Sequence, residues 1–463
     1  MKPKRAGWNQ RLTQQFLHMW PHYMATLRLG IPLIVGQVGQ VVLTFIDSAM
    51  IGHHATIELS AASFCINLFN LPIFFALGYA NALTPLIGQE HACREFATAG
   101  AILRQGLRNN IILGLLLSAL MGIVYFALPS LGLPQELLPH IKPYYVTQLI
   151  SLLFITCFNA LKQFTDALGK TAIAMWVMLG GNVLNIVGNY ALIYGEMGFP
   201  ELGLLGAGLS TLISRVAIPV ALVLYLSAQT NLQRYKAGFF RQKLSPALAR
   251  QANSMGLFIG GQMALENGLF SLSIVMVGWL GSIQLAAHHV AVTVQSIGFL
   301  VYYGAAAAIA IRASHYHGMG QYRNVRRAAI GGWHVVNFFA AIIMLILLVL
   351  RHSIVTLFTN SNEVAVLAAT LLLVGILYQP FDALQISFAN ALRGVGQAKA
   401  LMWISLVGYF GIALPAAYLL GIKSPLGAVG IWLAFPIGLG LAGIGFATRF
   451  FKVTQLKRPS KAI

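Results

Sequence analysis

The sequence predicts an all-α integral membrane protein, with twelve transmembrane helices in two pseudo-symmetric six-helix bundles around a central cavity. Three observations predict it. The 463 residues are 58% hydrophobic and only 9% charged, where a soluble chain carries about 25% charged residues. Twelve apolar runs reach the length of about 20 residues that a bilayer crossing needs. One long basic stretch without acids, "NLQRYKAGFFRQKLSPALARQ" at 231–251, splits the chain into halves that share short motifs. The formal charge of +19 fits membrane topology rather than nucleic acid, because cytoplasmic segments of membrane proteins collect Lys and Arg.

Residues 1–28 are basic and lack the short apolar core of a cleavable signal peptide. They are expected to form a retained cytoplasmic tail. The first half, 29–230, holds spans at 29–52, 59–84, 105–128, 143–165, 171–194 and 203–228. A basic cytoplasmic linker covers 231–254. The second half, 255–447, holds spans at 255–279, 283–311, 328–350, 364–391, 400–421 and 425–447, and a cytoplasmic tail covers 448–463. Runs this long and apolar satisfy their backbone in lipid only as helices. Of the 30 Lys and Arg, Lys142, Arg351 and Lys423 alone fall on the side away from the termini, and Arg215 falls inside the sixth span. That bias predicts both termini in the cytoplasm, and retention in a bacterial inner membrane fits. Cys65, Cys93 and Cys157 show no ligand-like spacing, and their odd number in apolar surroundings predicts no disulfide framework.

The halves look alike. "MIGHHATIELSAA" (50–62) aligns with "MVGWLGSIQLAAH" (276–288), and "ALGKTAIAMW" (167–176) with "GVGQAKALMW" (394–403), each pair at the same span of its half. Six spans per half keep both halves in one orientation, related by an axis along the membrane normal. Transporters built this way bind substrate between their halves near the midplane and rock to expose it to each side in turn.

Eight of the eleven acids fall in loops or at span ends; Asp47, Glu266 and Asp382 fall within spans 1, 7 and 10. A carboxylate at that depth costs roughly 2.5–3.5 kcal/mol on insertion scales, and no Lys or Arg lies at similar depth in these three spans. Polar residues share the acids' helix faces: Gln37, Gln40 and Thr44 with Asp47, Gln262, Phe270 and Ser273 with Glu266, and Tyr378 and Gln385 with Asp382. Asn182, Asn185 and Asn189 add a fourth stripe on span 5. These stripes face a watery cavity or one another. Asn and Gln can simply bridge helices, for about 0.6 kcal/mol per contact. The acids instead can exchange protons, or hold a cation among oxygen partners, so their charge state is a switch.

Other motifs carry less. "FTDALGKTA" contains Gly-Lys-Thr, but Phe164 stands where a P-loop needs Gly and no strand precedes it. His53–His54 and "HYH" at 315–317 lack further nearby ligands. No nucleophile–base pair is evident, so enzyme chemistry is not expected.

The chain resembles the NorM-like branch of the MATE (multidrug and toxic compound extrusion) family along nearly its whole length. The sharpest pieces are "IPLIVGQVGQVVLTFIDSAMIG", "NYALIYGEMGFPELGLLGAG", "ALENGLFS" and "YQPFDALQI…ALRG". The resemblance implies a secondary antiporter that exports organic, often cationic and aromatic compounds in exchange for Na+ or H+. It implies cation coupling at Asp47, Glu266, Asp382 and Tyr378, with Na+ a candidate at the last three. It implies an N-lobe polar network of Gln40, Thr44, Asn185 and Asn189, and a substrate cavity with Asn67, Phe270, His288, His289 and Gln385. No cofactor is expected, and the partners are membrane lipid and small drugs, the carrier being monomeric. His288–His289 departs from the family's His-Gln and suggests added pH sensitivity; Asn267 after Glu266 leaves the ion preference open. The alternative is a lipid or lipid-linked oligosaccharide flippase of the same superfamily, which would favour a cavity lined by Lys and Arg.

Overall fold

The computed structural model describes residues 8–130, 134–359 and 361–455; the outermost parts of both expected tails lie outside these. Helices fill the described chain and no strand occurs among the described residues. The first half contains α1 (Trp8–His54), α2 (Thr56–Ala80), α3 (Leu83–Ala92), α4 (Phe96–Ala127), α5 (Leu138–Ala167), α6 (Thr171–Ile193) and α7 (Gly203–Ala228). The short α8 (Gln233–Arg241) follows. The second half contains α9 (Pro246–Gly278), α10 (Ser282–Gly318), α11 (Tyr322–Thr356), α12 (Asn362–Gly394), α13 (Ala398–Ser405), α14 (Leu414–Gly421) and α15 (Ala428–Val453).

Each of the twelve predicted spans falls on a helix. Eleven helical segments among the described residues are long and apolar enough to cross a membrane. The seventh span, α9, is outside that set although it has 33 residues, because Gln262, Glu266 and Asn267 offset its apolar content. The ends differ more. α1 starts at Trp8 rather than at 29, because a helix that leaves lipid no longer needs apolar residues. The expected linker is partly ordered: Tyr235 and Gly238 of α8 are buried, and Arg104 of α4 donates to the carbonyls of Phe240 (3.3 Å) and Gln242 (2.5 Å). The eleventh span is not a continuous α-helix, since Leu406–Ala413 between α13 and α14 form a π-helix. Such wide turns concentrate at functional sites.

The "LGK" segment ends α5 rather than holding phosphate. Gly169 has φ +72° and the N–H of Lys170 donates to the carbonyl of Thr165 at 2.9 Å. That 6→1 bond closes a Schellman turn, which needs a left-handed residue. The aligned "VGQ" segment of the second half ends α12 likewise, with Gly396 at φ +76° and Gln397 N–H on Leu392 O at 2.9 Å.

The halves meet along α1–α10, α2–α9 and α3–α10. Their close approaches lie toward the end that carries the termini. A Cβ on Gly78 would stand 2.7 Å from the Cα of Gly260, and one on Gly304 2.7 Å from the Cα of Ile34. Small residues admit such backbone contact between membrane helices. At the same end Arg312 donates to the carbonyl of His22 (2.8 Å) and to Thr26 Oγ1 (2.6 Å). His315 Nε2 donates to the carbonyl of Ala167 at 2.6 Å, and Tyr79 Oη to Asn253 Oδ1 at 2.9 Å.

Candidate functional site

In the first half, α1 carries Asp47 to the face of α6. Asn189 Nδ2 donates to Asp47 Oδ1 at 2.6 Å. With its amide turned to pair donors with acceptors, Asn185 donates to the same oxygen at 2.8 Å and accepts from the Thr211 N–H at 3.1 Å. Asn185 and Asn189 are fully buried. The third asparagine of the stripe, Asn182, donates to the Gly39 carbonyl at 3.1 Å and holds α6 against α1. Gln40 and Thr44, expected in this network, do not join it. Both are exposed, and the Thr44 hydroxyl turns back to the Gln40 carbonyl at 3.0 Å. Behind the network Arg215 donates to Gln148 Oε1 (2.7 Å) and Ser151 Oγ (2.6 Å) and lies within electrostatic reach of Asp47.

In the second half, α9 and α12 bring Glu266 and Asp382 together, close enough for their charges to interact. Gln262, one turn before Glu266, donates to Glu266 Oε2 at 2.7 Å. Asp382 accepts a 2.7 Å hydrogen bond from the hydroxyl of Tyr302 on α10. Tyr302 was not among the sequence-predicted residues. Its signal was its phase: it lies four helical turns below His288 and shares that face. The expected aromatic partner, Tyr378, is buried one turn from Asp382 and packs on Trp432 and Phe435, with centroids 6.4 and 6.3 Å away.

Gln385 Nε2 donates to the Tyr409 hydroxyl at 2.6 Å, tying α12 to the π-helix. The network is only partly satisfied: Gln385 Oε1 and Ser405 Oγ are buried without partners. Partly satisfied buried polar groups are costly, and oxygens with spare lone pairs suit a cation or water.

The absence of a basic residue at the depth of the acids needs correcting. Arg393 lies in the last turn of α12, beyond the predicted span end at 391, and is buried. Helical side chains lean toward the helix N-terminus, which carries the guanidinium back toward the site. It donates to Asn390 Oδ1 (3.2 Å) and Gln262 Oε1 (3.4 Å) and lies within electrostatic reach of Glu266. No direct ion pair forms. Among the described residues the ion pairs are His54 with Glu58 and Glu201, His140 with Glu58, and Lys162 with Asp166. Asp47, Glu266 and Asp382 are in none of them.

The expected cavity residues separate into two groups. Asn67 and His289 are exposed, and Phe270 is half-buried against Phe435 at 5.2 Å. His288 and Gln385 are buried inside the second half. His288 is therefore not a wall of an open cavity. Trp432 Nε1 donates to His288 Nδ1 at 2.9 Å. An indole N–H only donates, so that ring nitrogen carries no proton and the imidazole is neutral.

A family model described as MatE matches the chain twice, over residues 32–191 and 259–419. A probable multidrug resistance protein NorM of Xylella fastidiosa is 29% identical over 431 residues, covering 93% of this chain and 92% of that one. A protein of the same description from Acinetobacter baylyi is 28% identical over 449 residues, covering 97% and 98%. The fold is similar to that of a multidrug resistance MATE family transporter solved in an outward-facing conformation. There the TM-score is 0.84 at 18% identity, over 94% of this chain and 97% of that one.

Proposed function

The chain belongs to the MatE family, a family of transporters and not of enzymes, and on that premise we propose a secondary antiporter that exports organic cations and aromatic drugs. The coupling ion is Na+ or H+. One observation carries the reading: Glu266 and Asp382 converge inside the second half with hydrogen bonds but no ion pair. Two like charges so placed repel until a cation joins them.

The end at which α1 begins and α15 ends faces the cytoplasm, a reading the Lys and Arg distribution supports, and a bacterial inner membrane fits. The halves touch at that end, and we take this as a carrier open to the outside. A cation loads at Glu266 and Asp382, where Gln262 and Tyr302 hold the two carboxylates, with Tyr378 beside them. Asp47 takes up a proton or anchors the cationic drug between α1 and α6. Loading removes the negative charge that held the drug, and the drug leaves outward. The halves rock as a pair, the ion is released inside, and the acids recover their charge for the next drug. A tenfold ion gradient supplies about 1.4 kcal/mol per ion, and the membrane potential roughly 2.3 kcal/mol per charge per 100 mV. Coupling requires that ion and drug weaken each other's binding.

The flippase alternative would favour a basic cavity wall, whereas both halves present acids. The test is efflux of ethidium from proteoliposomes with Na+ and H+ gradients imposed separately. Glu266→Gln and Asp382→Asn each abolish ion-driven efflux while membrane insertion is retained. Full efflux by the double variant would remove this site from the mechanism.

A further inference from the structure

The half-satisfied polar chain of the second half ends at Arg393, and the ion-coupled reading gives that residue no task. We propose that Arg393 is a positioning residue for the coupling ion: acting through Gln262, its fixed charge loosens the ion's hold on Glu266 and permits release. The proposal rests on the ion-coupled reading above and extends it to a residue outside the acids and their aromatic partners.

The geometry is specific. Gln262 stands between the two charges with each end of its amide committed. Its Oε1 accepts from Arg393 Nη2 at 3.4 Å and its Nε2 donates to Glu266 Oε2 at 2.7 Å. The amide cannot flip without placing a donor on the guanidinium and an acceptor on the carboxylate. Arg393 therefore dictates which atom of Gln262 faces Glu266. Asn390 Oδ1 holds the other arm of the guanidinium at 3.2 Å, and Nε is buried without a partner. A buried guanidinium keeps its charge, so this one is a permanent cation beside a site that binds transient ones. It does not touch Glu266, so it cannot replace the ion. It only repels the ion and stabilises the carboxylate left behind.

An antiporter needs this. A pair of buried carboxylates with no counter-charge would bind a cation tightly and return it slowly. A fixed positive charge at one remove weakens binding and speeds release. Removing it should therefore tighten ion binding and slow turnover together, an outcome that damage to packing does not produce.

The experiment uses the full chain in proteoliposomes loaded with ethidium, with Na+ and H+ each varied while the other is held constant. For the ion that drives the wild type, Arg393→Gln lowers the half-saturating concentration about tenfold and lowers the maximal rate by a similar factor. Arg393→Lys keeps the charge and stays within about threefold of the wild type in half-saturation. Quenching of tryptophan fluorescence by the same ion in detergent, without transport, shows the same shift in affinity. Should Arg393→Gln fail to assemble, Arg393→Met, which also removes the charge and keeps the length of the side chain, must shift half-saturation in the same direction. Unchanged half-saturation in an assembled Arg393→Gln protein overturns the proposal alone, as does a fall in rate accompanied only by lost thermal stability. A wild type that responds to neither ion overturns the ion-coupled reading and this proposal with it.

Discussion

A covalent bond across the seam between the halves should stop transport. The position is given by α1 and α10: a Cβ built on Gly30 lies 3.9 Å from the Cβ of Ala305 and 3.3 Å from its Cα. Disulfides have a Cβ–Cβ distance of about 3.8 Å and do not reach beyond about 4.5 Å. The pair Gly30→Cys and Ala305→Cys can therefore close with a few tenths of an ångström of adjustment, and the closed bond permits no separation there. Cys93 is exposed and Cys157 half-buried, so both are first replaced by Ser. A protease site at 242–245, between α8 and α9, reports bond formation, because the cleaved halves then stay together on a denaturing gel only when oxidised. Efflux falls in proportion to the bonded fraction, so about nine-tenths oxidation leaves about one-tenth of the rate, and a reductant restores it. Oxidised protein with an undiminished rate would show that the halves need not part at this seam, and the rocking mechanism would be wrong.

Other expected outcomes follow from single contacts. Tyr302→Phe removes a hydrogen bond to a carboxylate, worth about 1.5–3 kcal/mol, and slows ion-driven ethidium efflux at least about tenfold; Tyr378→Phe, with no such bond to Asp382, slows it less. Asn189→Leu removes a donor from Asp47 and lowers efflux by about the same factor, whereas Gln40→Leu stays within about twofold, because Gln40 is exposed. His288→Leu leaves the Trp432 N–H unpaired and costs about 1–3 kcal/mol of stability in a thermal melt, while the pH profile of efflux keeps its shape. A profile that moved with His288 would return that residue to the titrating site.

Composition alone made the membrane class legible, and each of the twelve apolar runs read as a span falls on helix. The three intramembrane acids stood out because carboxylates are rare at that depth. What stayed hidden depends on packing across helices. Gln40 and Thr44 share a stripe with Asp47, yet only Asp47 bonds to the asparagines of α6, while the Thr44 hydroxyl turns back to its own helix. Arg393 sat beyond a hydropathy boundary, although its helix continues to Gly394 and its side chain leans back inward. Tyr302 reads as one more apolar residue of α10 until α12 brings Asp382 to its hydroxyl. The π-helix at 406–413 has no periodicity signal of its own, since its sequence is as apolar as its neighbours'.

The backbone contact of Gly78 with Gly260 bears on how easily the two bodies come apart. The ring of Tyr79 fills the space a side chain on Gly256 would take, and Phe75 flanks Gly260. The two helices therefore meet on bare backbone at one point and on aromatic rings beside it, and parting them also breaks the Tyr79–Asn253 hydrogen bond. One added methyl group at either Gly78 or Gly260 would wedge the seam ajar.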